Sequence, residues 1–490
     1  MKVLKNHITF FFKSDNSFKH VSIIAGGAII AQGFSVFIMP FLSRIYSPED
    51  FGVLAIFSSV MSIAMQLTFL NYHFGIALPK SNRYCNAIVY LCLIIHIFFS
   101  IIFTVFIFTI GDFVFIKLSM NSLIKYKALL PIAVFCAGGY AALTQWAIRE
   151  RAFSSISKTK ITQSILGGLV KITLGLLSMK PVGLLIGTII GQASGITSLL
   201  KSILKVQGFP KTSIKDIKRC AIKYRKFPMY DTWACMLNTI TAQITPILIV
   251  SFFGTMQAGY FSIAQQLLQI PMVFIGQAIG QVFLQKASRA KYDGGIKDLT
   301  FTTYNVLVAG GLFPLLLLSF LAPQIFAFVL GEEWYEAGKM ARLLGPLIAL
   351  TFVFSPISHI FNIFNKQELS LLLEITYAAF HILTFCITAH YLKNILYTVA
   401  SISAMGFILV TFRLIILLRT AGISFYKSIK NFIINIIFNV ALISPAWYFD
   451  YIHASTKATI IVLFIIILIY LTNLIRLIKF NFKHFYCSKI

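Results

Sequence analysis

Acid is what this chain has least of. Fifteen Asp and Glu stand against 42 Lys and Arg in 490 residues. Charged residues make up only 12% of the chain, where soluble domains carry about 25%. With 58% of its residues hydrophobic, such a chain cannot cover a water-soluble surface. Cysteine is also scarce. The seven residues, among them Cys92, Cys136, Cys220 and Cys235, fall mostly inside apolar runs or basic loops, which excludes a disulfide framework; no spacing suits a metal ion. A cleaved leader is not expected, because the first apolar run (21–45) is too long and lacks an A-x-A-like site. Long polar loops are missing too, and with them any room for a soluble catalytic domain.

What remains is a series of apolar runs of membrane-crossing length. We read about fourteen helices, over 21–45, 49–74, 85–111, 128–149, 161–179, 182–204, 228–253, 257–284, 301–330, 342–364, 368–391, 394–418, 431–449 and 457–478. The fold class is therefore an all-α, polytopic integral membrane protein. Between the first two runs stands "FLSRIYSPEDFGVLAIF", Phe41 to Phe57. Ser47 suits an N-cap, Pro48 the first helical position, and Asp50 the third residue after the cap, so the gap reads as a tight capped turn.

Charge orients the helices. Lys2, Lys5, Lys13 and Lys19 precede the first one, and alternate loops are then basic, densest from Lys201 to Lys226. The opposite loops hold Glu332, Glu333, Glu336 and Asp450. The positive-inside rule puts both termini in the cytoplasm, as an even helix count requires. The net charge of +27 is then largely topological. Nucleic acid is not an expected partner, because the charge is spread over every inner loop.

The chain also repeats. "RIYSPEDFGVLAIFSSV" and "SFFGTMQAGYFSIAQQL" are both outer turns, with Gly52 aligned to Gly259 and Ile56 to Ile263. Two parallel six-helix lobes follow, 1–226 with its basic linker and 227–420, and 421–490 adds two further helices and a basic tail. That is a transporter plan.

Five stretches carry a resemblance: the Phe41–Phe57 turn, "ALPKS" (77–81), "KFPMYDTWACMLN" (226–238), "QAIGQVFLQKAS" (277–288) and "LGEEWYEAGKMARLLGP" (330–346). Together, over about residues 20–420, they resemble the oligosaccharide or O-antigen flippase family, whose superfamily also holds the multidrug and toxin extrusion antiporters. The resemblance implies movement of an undecaprenyl-diphosphate-linked oligosaccharide from the inner to the outer leaflet of a bacterial inner membrane. A polysaccharide polymerase and a chain-length regulator are the implied protein partners, and no cofactor is implied beyond coupling to H⁺ or Na⁺. The motifs are turns and helix ends; they name no catalytic residue, and the chain is not expected to be an enzyme.

Such a task needs a polar cavity and positive charge. At 100° per residue, Ser262, Gln266, Gln269, Gln277 and Gln281 fall within about 120° of arc, with Pro271 a kink point between them. Ser59, Ser62, Gln66 and His73 share a face of the second helix, and Asp231, Asn238, Thr241 and Thr245 a face of the seventh. Amides and hydroxyls suit sugars; the alternative is that they join helices. Lys171 sits mid-helix, about 13–15 Å from either membrane face at 1.5 Å per residue, beyond the reach of a stem of roughly 6 Å. A charge there costs at least about 2.5–3.5 kcal/mol unless it meets water or a partner. Ser164, Gly167, Gly175 and Ser178 share its face, which reads as small and open. Lys171 is either a cavity cation for the diphosphate or half of a pair with a buried carboxylate, Glu374 being one candidate.

Arg44 either pairs with Glu49 or Asp50 or receives the diphosphate at the outer mouth. Arg149 and Arg151 are topological charges or phosphate contacts at the inner side. Asp231, and Glu374 with His381 on its face, are the ion-coupling candidates. Asp231 stands where the family motif leads us to expect a small polar residue, so no role is carried over to it. His96 and His359 read as packing residues. The acids early and bases late in "GEEWYEAGKMARLL" suit a helix dipole, and its Trp334 and Tyr335 suit an interfacial belt. Two other functions remain open: a cation antiporter of the same fold, which calls for a cavity rich in aromatics and carboxylates, and a polymerase or acyltransferase, which calls for a large outer loop.

Overall fold

A computed structural model describes residues 16–77, 79, 81–150, 152–206, 212–424 and scattered positions from 426 to 472. Fifteen helices of ten residues or more organise them: α1 (Asn16–Ile45), α2 (Pro48–Leu67), α3 (Asn82–Thr109), α4 (Leu129–Arg149), α5 (Phe153–Leu176), α6 (Val182–Val206), α7 (Ile214–Lys223), α8 (Thr232–Phe253), α9 (Thr255–Leu268), α10 (Gln277–Asp293), α11 (Ile296–Leu307), α12 (Phe313–Leu330), α13 (Tyr335–Ile357), α14 (Gln367–Leu392) and α15 (Ile395–Thr420). Among the described residues, eleven helical stretches are long and apolar enough to cross a membrane. The helix α5 is not one of them, although its 24 residues reach about 36 Å. Lys158, Lys160, Lys171 and its hydroxyl residues dilute its apolar character.

The capped turn forms as expected. The Ser47 hydroxyl accepts from the Asp50 N–H at 3.3 Å, and the Asp50 carboxylate accepts from the Ser47 N–H at 2.9 Å. Such a cap contributes about 1 kcal/mol. Several helix limits differ from expectation. The second ends at Leu67 rather than 74, because Leu70 and Asn71 adopt positive φ (46° and 57°) and lead into a 3₁₀ turn, Tyr72–Ala77. His73 therefore leaves the polar face of α2. The stretch predicted as 257–284 is α9, a π-helical turn over Met272–Gly276 just after Pro271, and α10. Pro271 has no N–H to continue the α-helical ladder. A second π turn, Val308–Leu312, divides α11 from α12, and a third, Phe227–Asp231, precedes α8. The tenth predicted helix begins seven residues early, at Tyr335. The predicted helices 431–449 and 457–478 lie mostly outside the described residues.

Two compact units emerge, Met1–Ile263 with Phe328–Trp334, and Ala264–Ala327 with Tyr335–Ile490. In the first, Phe69, Tyr72, Ile76, Ile88, Cys92 and Cys220 form a core under the 3₁₀ turn. Ile56 and Ile263, equated by the repeat, are both fully buried there. In the second, Tyr304, Leu307, Phe352, Phe361 and Leu414 join α11, α13 and α15. Leu442, Ile443, Ile466 and Tyr470 pack with Phe313 and Phe320 of α12.

Candidate functional site

In the first unit, the small residues of α5 close the helix rather than open it. A side chain on Gly167 would stand 2.9 Å from the Gly187 carbonyl, and one on Gly175 2.7 Å from the Tyr46 ring. The Ser164 hydroxyl donates to the Ala31 carbonyl at 2.7 Å. The expectation of an open face around Lys171 is thus corrected: these residues pack α5 against α1 and α6. Gly183, Gly187, Gly191 and Gly195, spaced by four along α6, are the matching surface. That spacing is visible in the sequence but was not singled out there. The half-buried Lys171 lays its stem across Gly187, where an added Cβ would meet Lys171 Cγ at 2.4 Å. Tyr46 donates its hydroxyl to the Lys171 carbonyl at 2.6 Å. Burial, with Asp50 nearby, pushes the Tyr46 phenol up to about 12 and keeps it a donor. Among the described residues, no carboxylate lies within ion-pair distance of Lys171.

Asp231 is reached from the turn that follows α2. The Asn71 amide donates to its carboxylate at 2.8 Å, and Asn71 is aimed there by its left-handed backbone. The Ser59 hydroxyl donates to Gln243 of α8 at 3.1 Å, which makes Ser59 a helix-joining residue. Neither Asn71 nor Gln243 was picked out from the sequence, since the contacts span 160 and 184 residues. Gln66 is half-buried and Asn238 exposed; Thr241 and Thr245 are buried. Arg149 is half-buried at the end of α4. Arg44 is exposed and forms no ion pair with Glu49 or Asp50, and the Asp50 carboxylate is engaged by Ser47.

The 330–346 motif reaches the same turn. Trp334 is 1% exposed, its indole N–H donates to the Ser43 carbonyl at 3.0 Å, and its ring meets Phe51 and Tyr260 edge-on at 5.2 and 6.0 Å. The Ser43 hydroxyl in turn donates to the Leu330 carbonyl at 2.9 Å. Trp334 is therefore a core residue and not a member of an interfacial belt.

In the second unit, Gln266, Gln269, Gln277 and Gln281 are all exposed, while Ser262 of the first unit is half-buried. Glu374 has its own cation: Arg413 of α15 donates to its carboxylate at 2.5 Å, with the two side chains 18% and 13% exposed. The Arg413 guanidinium also covers Phe354 and Tyr377, at 4.8 and 5.7 Å. His381 is buried one turn on, stacked on Tyr377 with ring centres 5.7 Å apart. Arg413 was missed although it interrupts an apolar run, "FILVTFRLIILL". Among the described residues, no cluster of His, Cys, Asp and Glu could hold a metal ion.

Comparison with known proteins supplies the context. Residues 41–339 match the family described as polysaccharide biosynthesis protein. An uncharacterised membrane protein in the cps region of Klebsiella pneumoniae is 23% identical over 71% of both chains. The teichuronic acid biosynthesis protein TuaB of Bacillus subtilis is 25% identical over 26% of this chain and 27% of its own. Among solved structures, an inward-facing multidrug resistance transporter of the MATE family aligns with a TM-score of 0.61 at 14% identity, over 84% of this chain and 98% of its own. That likeness concerns the fold. With more than half of its length matched, the chain belongs to the family described as polysaccharide biosynthesis protein, and its fold is like that of a MATE transporter.

Proposed function

We propose that this protein is a flippase that carries an undecaprenyl-diphosphate-linked oligosaccharide, the repeat unit of an O-antigen or other surface polysaccharide, across a bacterial inner membrane. One observation carries the reading: a chain of the polysaccharide biosynthesis family has a transporter fold and a mid-helix lysine, Lys171, with no carboxylate beside it among the described residues. A cation without a counter-ion attracts phosphate, and it repels the organic cations that an antiporter would carry. The exposed Gln266, Gln269, Gln277 and Gln281 offer donors and acceptors to sugar hydroxyls.

The proposed mechanism is alternating access, with six-helix lobes (1–226 and 227–420) rocking about a polar cavity and both termini in the cytoplasm. No bond is made or broken in the substrate. Asp231 is the stronger of the ion-coupling candidates, because it is held by a neutral amide whereas Glu374 is neutralised by Arg413.

The test is complementation of a bacterium that lacks its own O-antigen flippase. Restored surface polysaccharide is the expected result. Continued accumulation of lipid-linked units in the inner leaflet, across hosts with several different glycans, would contradict the proposal.

A further inference from the structure

The helix α7 has no place in the translocation scheme, yet its surface is specific. Four of its ten residues are exposed cations: Lys215, Lys218, Arg219 and Lys223. Two more are large aliphatic residues left open, Ile214 at 82% and Ile222 at 58% exposure. At 100° per residue, Ile214, Lys218 and Ile222 form one line, with Lys215 and Arg219 along one flank. The opposite side is anchored in the protein. Asp216 is 1% exposed and accepts from Arg83 Nε at 2.7 Å. Cys220 is buried with its thiol directed at the Tyr84 carbonyl, 3.7 Å away, and Tyr72 donates its hydroxyl to the Ala221 carbonyl at 3.0 Å. The helix is thus clamped to the start of α3 and to the 3₁₀ turn, and its outward face is fixed.

The exposed chemistry continues past its end. Arg225 and Lys226 are exposed, followed by Met229, Tyr230 and Trp233 at 56%, 68% and 61%. Cations around an aliphatic line, next to open Tyr and Trp side chains, are the composition of a surface that lies in the headgroup layer of a bilayer. A free phosphate or a soluble acidic partner would give the isoleucines nothing to do.

We propose that the outward face of α7, with Tyr230 and Trp233, is a docking surface for anionic phospholipid headgroups. Ile214 and Ile222 sit at the acyl boundary while Lys215, Lys218, Arg219 and Lys223 contact phosphates. Binding of this kind requires only that the chain spans a bilayer, so it stands or falls separately from the glycan substrate. Through Arg83–Asp216 and Tyr72–Ala221, lipid held here also steadies the segment that carries Asn71 to Asp231.

The test uses the full-length protein purified in a neutral detergent. Short-chain phosphatidylglycerol, phosphatidylcholine and inorganic pyrophosphate are titrated separately while thermal unfolding is followed, and bound lipid is counted by native mass spectrometry. Phosphatidylglycerol should raise the midpoint and phosphatidylcholine should not. Each cation near an anionic surface contributes about fivefold in affinity, so joint Lys215→Gln, Lys218→Gln, Arg219→Gln and Lys223→Gln replacement should weaken phosphatidylglycerol at least about a hundredfold. The same four positions changed to Arg or Lys, keeping every charge, should retain the shift. If the neutral variant does not fold, Ile214→Ser with Ile222→Ser decides: weaker phosphatidylglycerol retention supports the surface, and unchanged retention overturns it. An unchanged lipid shift in the neutral variant, or an equal shift with pyrophosphate, also overturns it, the latter in favour of a simple phosphate or substrate-diphosphate site.

Discussion

Gly52 of α2 and Gly259 of α9 make reciprocal contacts with each other's helix. A Cβ on Gly52 would stand 1.9 Å from the carbonyl of Thr255, and a Cβ on Gly259 would stand 1.9 Å from the carbonyl of Pro48. Each glycine thus touches the residue four positions before the other. The two halves of the internal repeat meet here through equivalent atoms, and only glycine fits at either position.

Under the proposed alternating access, α2 and α9 part at this crossing. Gly52→Val or Gly259→Val should destabilise the protein by about 1–3 kcal/mol through overpacking, seen as a lower unfolding midpoint.

Lys171 should act through its charge. Its carbonyl already anchors Tyr46 and its stem fills the space over Gly187, so Lys171→Met keeps the volume and removes only the cation. Export should fall by at least about tenfold, the equivalent of roughly 1.4 kcal/mol of lost interaction, at unchanged protein abundance. Lys171→Arg should retain most of it. Equal export by Lys171→Met would make the residue a packing element.

Trp334 should matter for stability before transport. Trp334→Ala removes a side chain that is 1% exposed and packed edge-on against Phe51 and Tyr260, at a cost of about 3–5 kcal/mol. Trp334→Phe loses mainly the hydrogen bond to Ser43 and should cost about 1 kcal/mol. Thermal unfolding of the two variants checks the difference.

The two carboxylates should separate. Arg413→Met leaves Glu374 buried and unpaired, which costs about 3–5 kcal/mol, while Arg413→Met with Glu374→Leu should recover most of the loss. Asp231→Asn keeps the contact with Asn71 and removes a charge, so it should preserve the unfolding midpoint and lower export driven by an ion gradient. An Asp231→Asn protein with a normal ion dependence would exclude Asp231 from coupling.

Local chemistry was legible in the sequence and long-range pairing was not. The Ser47–Asp50 cap depends on residues three apart, and it forms as expected. The spans follow from length and hydropathy, and eleven appear among the described residues. The repeat alignment anticipated that Gly52 and Gly259 are equivalent, but not that they would touch. Arg413 as the partner of Glu374, and Asn71 as the partner of Asp231, depend on which helices lie side by side, which periodicity does not encode. The face of Lys171 was misjudged for a related reason: glycine and serine on a membrane helix are compatible with an open cavity and with close packing, and only the neighbouring helix decides.

The most direct measurement is translocation by the purified protein. Vesicles reconstituted with it would carry an undecaprenyl-diphosphate-linked oligosaccharide in their inner leaflet, and exposure of the sugar to an impermeant oxidant would be timed. Flipping by this protein predicts that oxidation proceeds past the outer-leaflet fraction, and that Lys171→Met slows it at equal reconstitution. Oxidation that halts at the outer-leaflet fraction with wild type, in vesicles that hold an ion gradient of either sign, would contradict it.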